Sequence, residues 1–270
     1  MNKVAAIQMC SSDNVDENLT TAARLIEQAS NQGAVLAVLP EMFVMFGEQA
    51  LDKVRIKEKS GTGKIQDFLA ALAIKYNIWI VAGTIPIACD IPNKVRAACI
   101  VFDNKGCQVA RYDKIHLFDV TLSEQEVYKE SDTTQPGDEI IVVDTPAGKL
   151  GLCVCFDMRF PEHIAQLSAQ GVEIIAIPAA FTAKTGAAHW ELLVRCRAID
   201  SFSYVMGACQ GGTHPNGRKT HGHSMVVDPW GVIIDEMNTP GNGVVYAEVN
   251  LEKLYEIRNQ IPVIAIDHAT

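Results

Sequence analysis

No stretch of this 270-residue chain is long and apolar enough to span a bilayer. The longest nearly apolar run, Ile78–Cys89, has 12 residues and is broken by Gly83, Thr84 and Pro86. A spanning helix needs ~20. The opening MNKVAAIQMC lacks the apolar core and small-residue cleavage site of a secretory signal and reads directly as a strand. Basic charge is in deficit. Lys plus Arg number 23 against 32 Asp plus Glu, a net charge of −9. Such a chain repels nucleic acid and anionic membrane at long range, so neither is expected as a partner. Eight cysteines are too few for a disulfide-dense scaffold, and a cytoplasmic protein with reduced thiols is expected. Pro/Ser-rich linkers, low-complexity runs, long charge blocks and fixed-period repeats are all missing. With 48% hydrophobic and 20% charged residues, an ordinary globular composition, the expectation is one domain over residues 1–270.

What is present is an alternation of strand and helix signals, the pattern of an α/β protein. Val4–Gln8, Ala34–Leu39, Trp79–Thr84, Leu150–Cys155, Val172–Ile177 and Tyr204–Ala208 are apolar runs. Unbroken runs of this kind suit strands covered on both faces. Asn14–Gln32, Lys64–Tyr76 and His189–Ala198 read as helices, and Pro161 starts another. Ala97–Phe102 with Val109–Tyr112, Ile140–Asp144 with Leu150–Cys155, and Met225–Val227 with Val232–Asp235 read as hairpins. Val244–Val249 is the last strand, and Leu251–Asn259 a short closing helix. So many hairpins fit a purely parallel sheet badly. Two mixed sheets packed face to face, with helices outside, fit better.

Two motifs fail on their own terms. Ser60-Gly61-Thr62-Gly63-Lys64 hints at a phosphate loop, but Glu58 and Ile65 stand where the pattern requires Gly and Ser or Thr. No G-x-G-x-x-G opens a helix after a strand. Cys153-x-Cys155 with His221-x-His223 suggests zinc. Residues two apart on a strand, however, stand roughly 7 Å apart, and Zn–S bonds are ~2.3 Å. No metal is expected. Most cysteines, including Cys99, Cys107, Cys196 and Cys209, read as core residues in apolar patterns.

Three residues stand at the ends of apolar strands. Glu41 follows Leu39-Pro40, Lys114 follows Tyr112, and Cys155 ends Leu150–Cys155. A strand-to-helix turn exposes its terminal side chain and aims free N–H groups at it, which favours a thiolate and an oxyanion. A thiol with a pKa of ~8.5 needs a base, and Glu41 is the candidate. Each residue also has a plain alternative. Glu41 can be a solvated loop acid, and Lys114 a surface partner of Asp113. Arg159, four residues past Cys155, suits a bidentate contact to a substrate carboxylate, or an ion pair with Asp157 or Glu162. Phe181 and Thr185 are candidate pocket walls.

LPEMF around Glu41, YDKIHLFDV around Lys114 and GLCVCFDMRFPE around Cys155 resemble the three signatures of the nitrilase superfamily of carbon–nitrogen hydrolases. ESDTTQPGD, AHWELLVRCRAIDS and GHSMVVDPWG extend the likeness in order through most of the chain. The departures are minor: Phe156 stands where Tyr is commoner, and Cys196 where Ala or Ser is frequent. The resemblance implies a four-layer αββα sandwich and a Cys–Glu–Lys triad, with neither metal nor organic cofactor. It assigns Cys155 as nucleophile, Glu41 as general base and Lys114 as the oxyanion cation, aided by the Phe156 N–H. Glu130 matches a second glutamate that orients Lys114 and the substrate amide. FDMRFPE, AHWELL and ACQGGTH…GR…HGHSMVVDPWG most resemble the branch acting on 2-oxo acid amides. Deaminated glutathione is the expected substrate and α-ketoglutaramate the alternative. Other carbon–nitrogen hydrolases, such as those for N-carbamoyl amino acids or aliphatic amides, and a non-catalytic scaffold are further readings. The family also implies a homodimer or larger homo-oligomer, assembled partly through about residues 251–270. Leu254, Ile257 and Ile261 would lie on one side of Leu251–Ile264, unless they pack on their own subunit.

Overall fold

A computed structural model describes residues 1–124 and 126–262. Period-2 alternation organises its centre. Along the first strand, Asn2–Gln8, Val4 and Ala6 face one apolar cluster while Ala5 and Ile7 face another. The run is apolar throughout because both of its faces are covered.

Two sheets result. In the first, Gly243–Val249, Asn2–Gln8, Ala34–Val38, Trp79–Val81, Val95–Phe102 and Ile85–Ala88 lie side by side in that order. Gln108–Asp113 also pairs with Val95–Phe102. Asn2–Gln8, Ala34–Val38 and Trp79–Val81 run parallel, and the remaining pairings are antiparallel. In the second sheet the order is Ile233–Glu236, Met225–Val227, Tyr204–Cys209, Ile174–Ala179, Gly148–Leu152 and Val142–Thr145. Its three central strands are parallel.

The sheets pack face to face. Val4, Leu36, Val38 and Val101 of the first share one cluster with Leu150, Leu152, Ile174 and Met206 of the second. Helices Val15–Asn31 and Lys64–Tyr76 cover the outer face of the first sheet through Leu19, Leu25, Ile26 and Leu69. Helices Pro161–Ala169 and Ala183–Ser201 cover the second through Ile164, Leu167, Trp190 and Val194. This is the expected αββα sandwich. No helix among the described residues is long and apolar enough to cross a membrane.

Local chemistry sets the element ends. Asn14 caps the first helix, its side chain accepting from the Asp16 and Glu17 N–H groups. Thr182 caps Ala183–Ser201 in the same way, accepting from Thr185 N–H. That helix starts six residues before the expected His189, because the cap and Thr185 open it upstream.

Four expectations need correction. Trp79–Thr84 is a strand only to Val81. Gly83 turns the chain in the left-handed region at φ +49°, and a new strand, Ile85–Ala88, follows. Leu150–Cys155 stops pairing at Leu152, and Cys155 opens a short 3-10 helix, Cys155–Arg159. Cys107 and Cys196 are exposed, whereas Cys99 and Cys209 are buried. Cys107 lies in a hairpin turn and Cys196 on the solvent face of a helix, positions a local apolar pattern does not distinguish. Leu254 and Ile257 of helix Leu251–Gln260 are buried in their own subunit, and only Ile261 is exposed. Ile264 and the rest of 263–270 lie outside the described residues.

The Gly83 turn packs on the site. A Cβ there would collide with the carbonyl oxygen of Pro40, one residue before Glu41, and positive φ penalises any L side chain. Gly83→Ala is expected to destabilise by about 2–4 kcal/mol and to reduce activity through displacement of Glu41. Urea unfolding and steady-state kinetics of the purified variant check this.

Candidate active site

Two strand ends of the first sheet and one of the second open at the same rim. After Ala34–Val38 the chain passes through Leu39-Pro40 to Glu41, and Met42 turns sharply at φ +58°. The Met42 N–H donates to Thr84 Oγ1 at 2.9 Å, and Gln210 Nε2 donates to the Glu41 carbonyl at 3.1 Å. Both tie the loop to its neighbours. Lys114 follows Gln108–Asp113, its N–H donating to Ala97 O at 3.1 Å.

The Lys114 ammonium lies between two carboxylates. Nζ donates to Glu41 Oε1 at 2.7 Å and to Glu130 Oε2 at 2.8 Å. The same Glu130 oxygen accepts from the Phe118 N–H at 2.8 Å. The Lys114 side chain is 1% exposed. Burial alone pulls its pKa down, but Glu130 and Glu41 outweigh burial and hold the ammonium well above the usual lysine value. Burial likewise opposes ionised Glu130, yet Lys114 and Lys53 keep it below the ordinary carboxylate value. The Asp113 alternative for Lys114 does not occur. Asp113 pairs with Arg111 at 2.8 Å, and Glu41 is buried rather than solvated.

Cys155 adopts φ +49°, a left-handed conformation rare for a residue with a side chain. Burial and then the Glu41 carboxylate push its thiol well above the ordinary value, against the opposing pull of Lys114 and a hydrogen bond from the Ala180 N–H. Burial and the nearby Glu41 charge therefore favour the thiol over the thiolate at rest. The first hydrogen bond of its 3-10 helix is Asp157 N–H to Val154 O at 3.0 Å, so the Phe156 N–H precedes the helix ladder and has no acceptor within it.

Asp157 holds this turn in place. One of its oxygens accepts from Val154 N–H at 2.9 Å and Tyr112 OH at 2.6 Å. The other accepts from His116 N–H and pairs with His116 Nδ1, both at 2.8 Å. Val154 precedes Cys155, while Tyr112 and His116 flank Lys114. One buried carboxylate thus locks two loops together. The ligand atoms of His116, Asp157 and His163 lie within 4.8 Å of one another, but four donors already occupy the lone pairs of Asp157. The cluster fits a hydrogen-bond hub rather than a cation site. The alternative zinc set does not assemble: no cluster among the described residues contains Cys153, Cys155, His221 or His223.

A cavity of about 400 Å³ opens over these groups. Arg159, Phe181 and Thr185 line it, as do Glu41, Lys114, Glu130, Cys155 and Phe156. Arg159 makes neither expected ion pair. Its guanidinium lies 5.1 Å from the Phe181 ring and 5.9 Å from that of Phe156, within 3.4 Å of His189 Nδ1. Thr185 Oγ1 shares a hydrogen bond with Thr182 Oγ1 at 2.9 Å, and the Phe181 ring packs edge-on against Trp190 at 5.0 Å.

Sequence reasoning did not single out Asp157, Tyr112, His116, Lys53, Arg218 or the Ala180 N–H. Asp157 stands two residues from Cys155, where the sequence offers it only as a partner for Arg159. Lys53 lies on the four-residue helix Asp52–Arg55, with Nζ donating to Thr134 Oγ1 at 2.7 Å. No local pattern marks Lys53, and Arg218 stands in the quoted GR without a role that the local sequence assigns.

Asp157 is held below the ordinary aspartate value of 3.8, since hydrogen bonds from His116 and Tyr112 and the His163 ring outweigh burial. A depressed carboxylate contributes stability above its unfolded pKa, and that stability is lost as pH falls through the lower folded value. Asp157→Asn is therefore expected to cost about 2–4 kcal/mol near neutrality. The gap from wild type should narrow only below about pH 4. Urea unfolding of both proteins from pH 7 to 3 checks this.

Residues 3–259 match the family model for carbon–nitrogen hydrolases. The chain is 41% identical over 263 residues to a Yersinia enterocolitica protein named deaminated glutathione amidase, covering 97% of this chain and 91% of that one. It superposes on the C. elegans NitFhit protein with a TM-score of 0.92 and 33% identity, covering 99% of this chain and 65% of that longer one. Against Saccharomyces cerevisiae Nit3, a member of branch 10 of the nitrilase superfamily, the TM-score is 0.86 at 33% identity, over 97% and 94% of the two chains. Together with the sandwich fold and the buried Cys, Glu and Lys at one rim, these matches show that the chain belongs to the carbon–nitrogen hydrolase family and is a hydrolase of carbon–nitrogen bonds.

Proposed function

We propose that this enzyme cleaves the amide bond of a 2-oxo acid amide through a thioester on Cys155, and that its substrate is deaminated glutathione, released as α-ketoglutarate and Cys-Gly. The supporting observation is the convergence of Cys155, Glu41 and Lys114 under a cavity whose wall carries Arg159 without a carboxylate partner among the described residues. The name of the Yersinia relative supports the choice of substrate.

The thiol proton passes to Glu41 as sulfur bonds to the amide carbon. Negative charge moves to the carbonyl oxygen, where the Lys114 ammonium and the Phe156 N–H receive it. Groups fixed in advance at that point favour the transition state because they need no reorientation. Collapse breaks the carbon–nitrogen bond, and the leaving amine takes the proton held by Glu41. Glu41 next accepts a proton from water as the oxygen adds to the thioester. The carbon–sulfur bond then breaks and the proton returns to sulfur. Glu130 keeps Lys114 charged and oriented throughout. Arg159 holds the carboxylate of the 2-oxo acid, with Phe181 and Thr185 beside it. No metal or organic cofactor enters this scheme.

We also place the enzyme in the cytoplasm as a homodimer or larger homo-oligomer. Leu192, Ile199, Trp230 and Val232 are apolar side chains left exposed, which supports assembly. The C-terminal segment buries Leu254 and Ile257 within the subunit and exposes Tyr255 and Ile261.

Release of α-ketoglutarate and Cys-Gly from deaminated glutathione, beside ammonia release from α-ketoglutaramate, tests the reading. Deaminated glutathione is expected to show the higher kcat/KM. Cys155→Ala is expected to lose on the order of 10⁴-fold or more in kcat. Arg159→Gln is expected to raise KM about 10- to 100-fold for both substrates, since each carries the 2-oxo acid carboxylate. Preference for α-ketoglutaramate moves the enzyme to that substrate, and inactivity on both overturns the 2-oxo acid reading.

A further inference from the structure

The charges lining the cavity do not match those of the whole molecule. Five cations face it: Lys53, Lys114, Lys129, Arg159 and Arg218. Three carboxylates oppose them, from Glu41, Glu48 and Glu130. A protein with net charge −9 thus presents a cavity with a surplus of two positive charges. Lys114 is neutralised by its two glutamates. Arg218 is not neutralised. It forms no ion pair among the described residues, its Nε is buried without a hydrogen-bond partner, and its only side-chain hydrogen bond runs from Nη2 to the Ala180 carbonyl at 3.3 Å.

Arg218 is held flat rather than left loose. Its guanidinium lies 4.7 Å from the Tyr128 ring and 5.1 Å from the Phe46 ring. From Arg159 an aromatic wall runs through Phe156, Phe118 and Tyr128 to Arg218, with neighbouring ring centroids 5.2–5.3 Å apart. The two guanidiniums lie over different rings: Phe156 and Phe181 for Arg159, Tyr128 and Phe46 for Arg218. Phe46 belongs to the loop that follows Glu41, so Arg218 packs on the segment that carries the proposed base. In the mechanism above, Glu41 hands its proton to the leaving amine, so the amine must depart on that side. Arg159 takes the acyl end.

We infer that Arg218 forms a second anion subsite, which binds a carboxylate carried by the leaving amine and selects a dianionic, peptide-like amide over a simple primary amide. A tripeptide-sized chain extends about 10 Å, long enough for one carboxylate at each end and a scissile amide between. This inference rests on the 2-oxo acid amide reading and deepens it. It makes Arg218 the residue that separates an amine with its own carboxylate from ammonia.

The test compares deaminated glutathione with the same compound amidated at its glycine carboxylate, using wild type, Arg218→Gln and Arg218→Lys. Wild type is expected to favour the free acid by about 10- to 100-fold in kcat/KM, chiefly through KM, as befits a charged hydrogen-bonded contact. Arg218→Gln should bring the ratio close to one, and Arg218→Lys should keep an intermediate ratio. A wild-type ratio near one, or an undiminished ratio in Arg218→Gln, overturns the subsite. So does a loss shared equally by both compounds, which would mark Arg218 as structural only. Failure of wild type to hydrolyse deaminated glutathione is a separate result, which overturns the substrate reading and this inference with it.

Discussion

The site depends on one buried ammonium. Lys114 is almost fully removed from water, and an unpaired charge there would cost several kcal/mol. Glu41 and Glu130 must therefore approach it together, and in doing so they draw three separate chain segments to one point. The grouping is an electrostatic necessity: removing either acid leaves Lys114 with a charge that the interior solvates poorly. Lys53 extends the same logic. Burial pulls its pKa down while Glu130 pulls it up, so Glu130 answers to two lysines.

A second buried carboxylate serves geometry instead of chemistry. Asp157 binds the backbone before Cys155 and the segment around Lys114 at once. That matters because Cys155 and Met42 both hold left-handed backbones, each costing of order 1–3 kcal/mol. Such strain persists only where the surroundings over-determine it. Here the surroundings are two packed sheets, a saturated hydrogen-bond hub and the Gly83 turn against Pro40. The nucleophile is thus aimed before substrate arrives.

The cavity concentrates positive charge on a protein that is acidic as a whole. The net negative charge does nothing to draw an acid in from a distance, so the attraction has to be local. Guanidiniums stacked on rings suit that task, because they are weakly hydrated and present planar forks to carboxylates. Arg159 rests on Phe156 and Phe181, and Arg218 on Tyr128 and Phe46, so two such forks line one cavity.

Much of this was legible in the chain itself. The period-2 alternation of Val4, Ala5, Ala6 and Ile7 encodes a strand covered on both faces, and the motifs around Glu41, Lys114 and Cys155 encode the reactive groups. Asn14 and Pro161 mark helix starts because capping chemistry is local. Where local pattern failed, it did so for want of a neighbour. Cys107 and Cys196 sit among apolar residues in sequence, yet a turn and a helix face expose them. Leu251–Gln260 looked like an interface element, but its apolar side lies on its own subunit. Cys155 read as the end of a strand because apolar residues run up to it, whereas pairing stops at Leu152 and Asp157 bends the chain away. The layered α/β sandwich and the placement of Glu41, Lys114 and Cys155 at chain turns were legible locally, since periodicity and residue chemistry are properties of adjacent positions. Only the tertiary structure decided that Asp157 would lock the two loops, that Lys53 would flank Glu130, and that Arg218 would face the cavity unpaired. Those facts depend on distances between segments up to about two hundred residues apart in the chain, which close only when the two sheets pack.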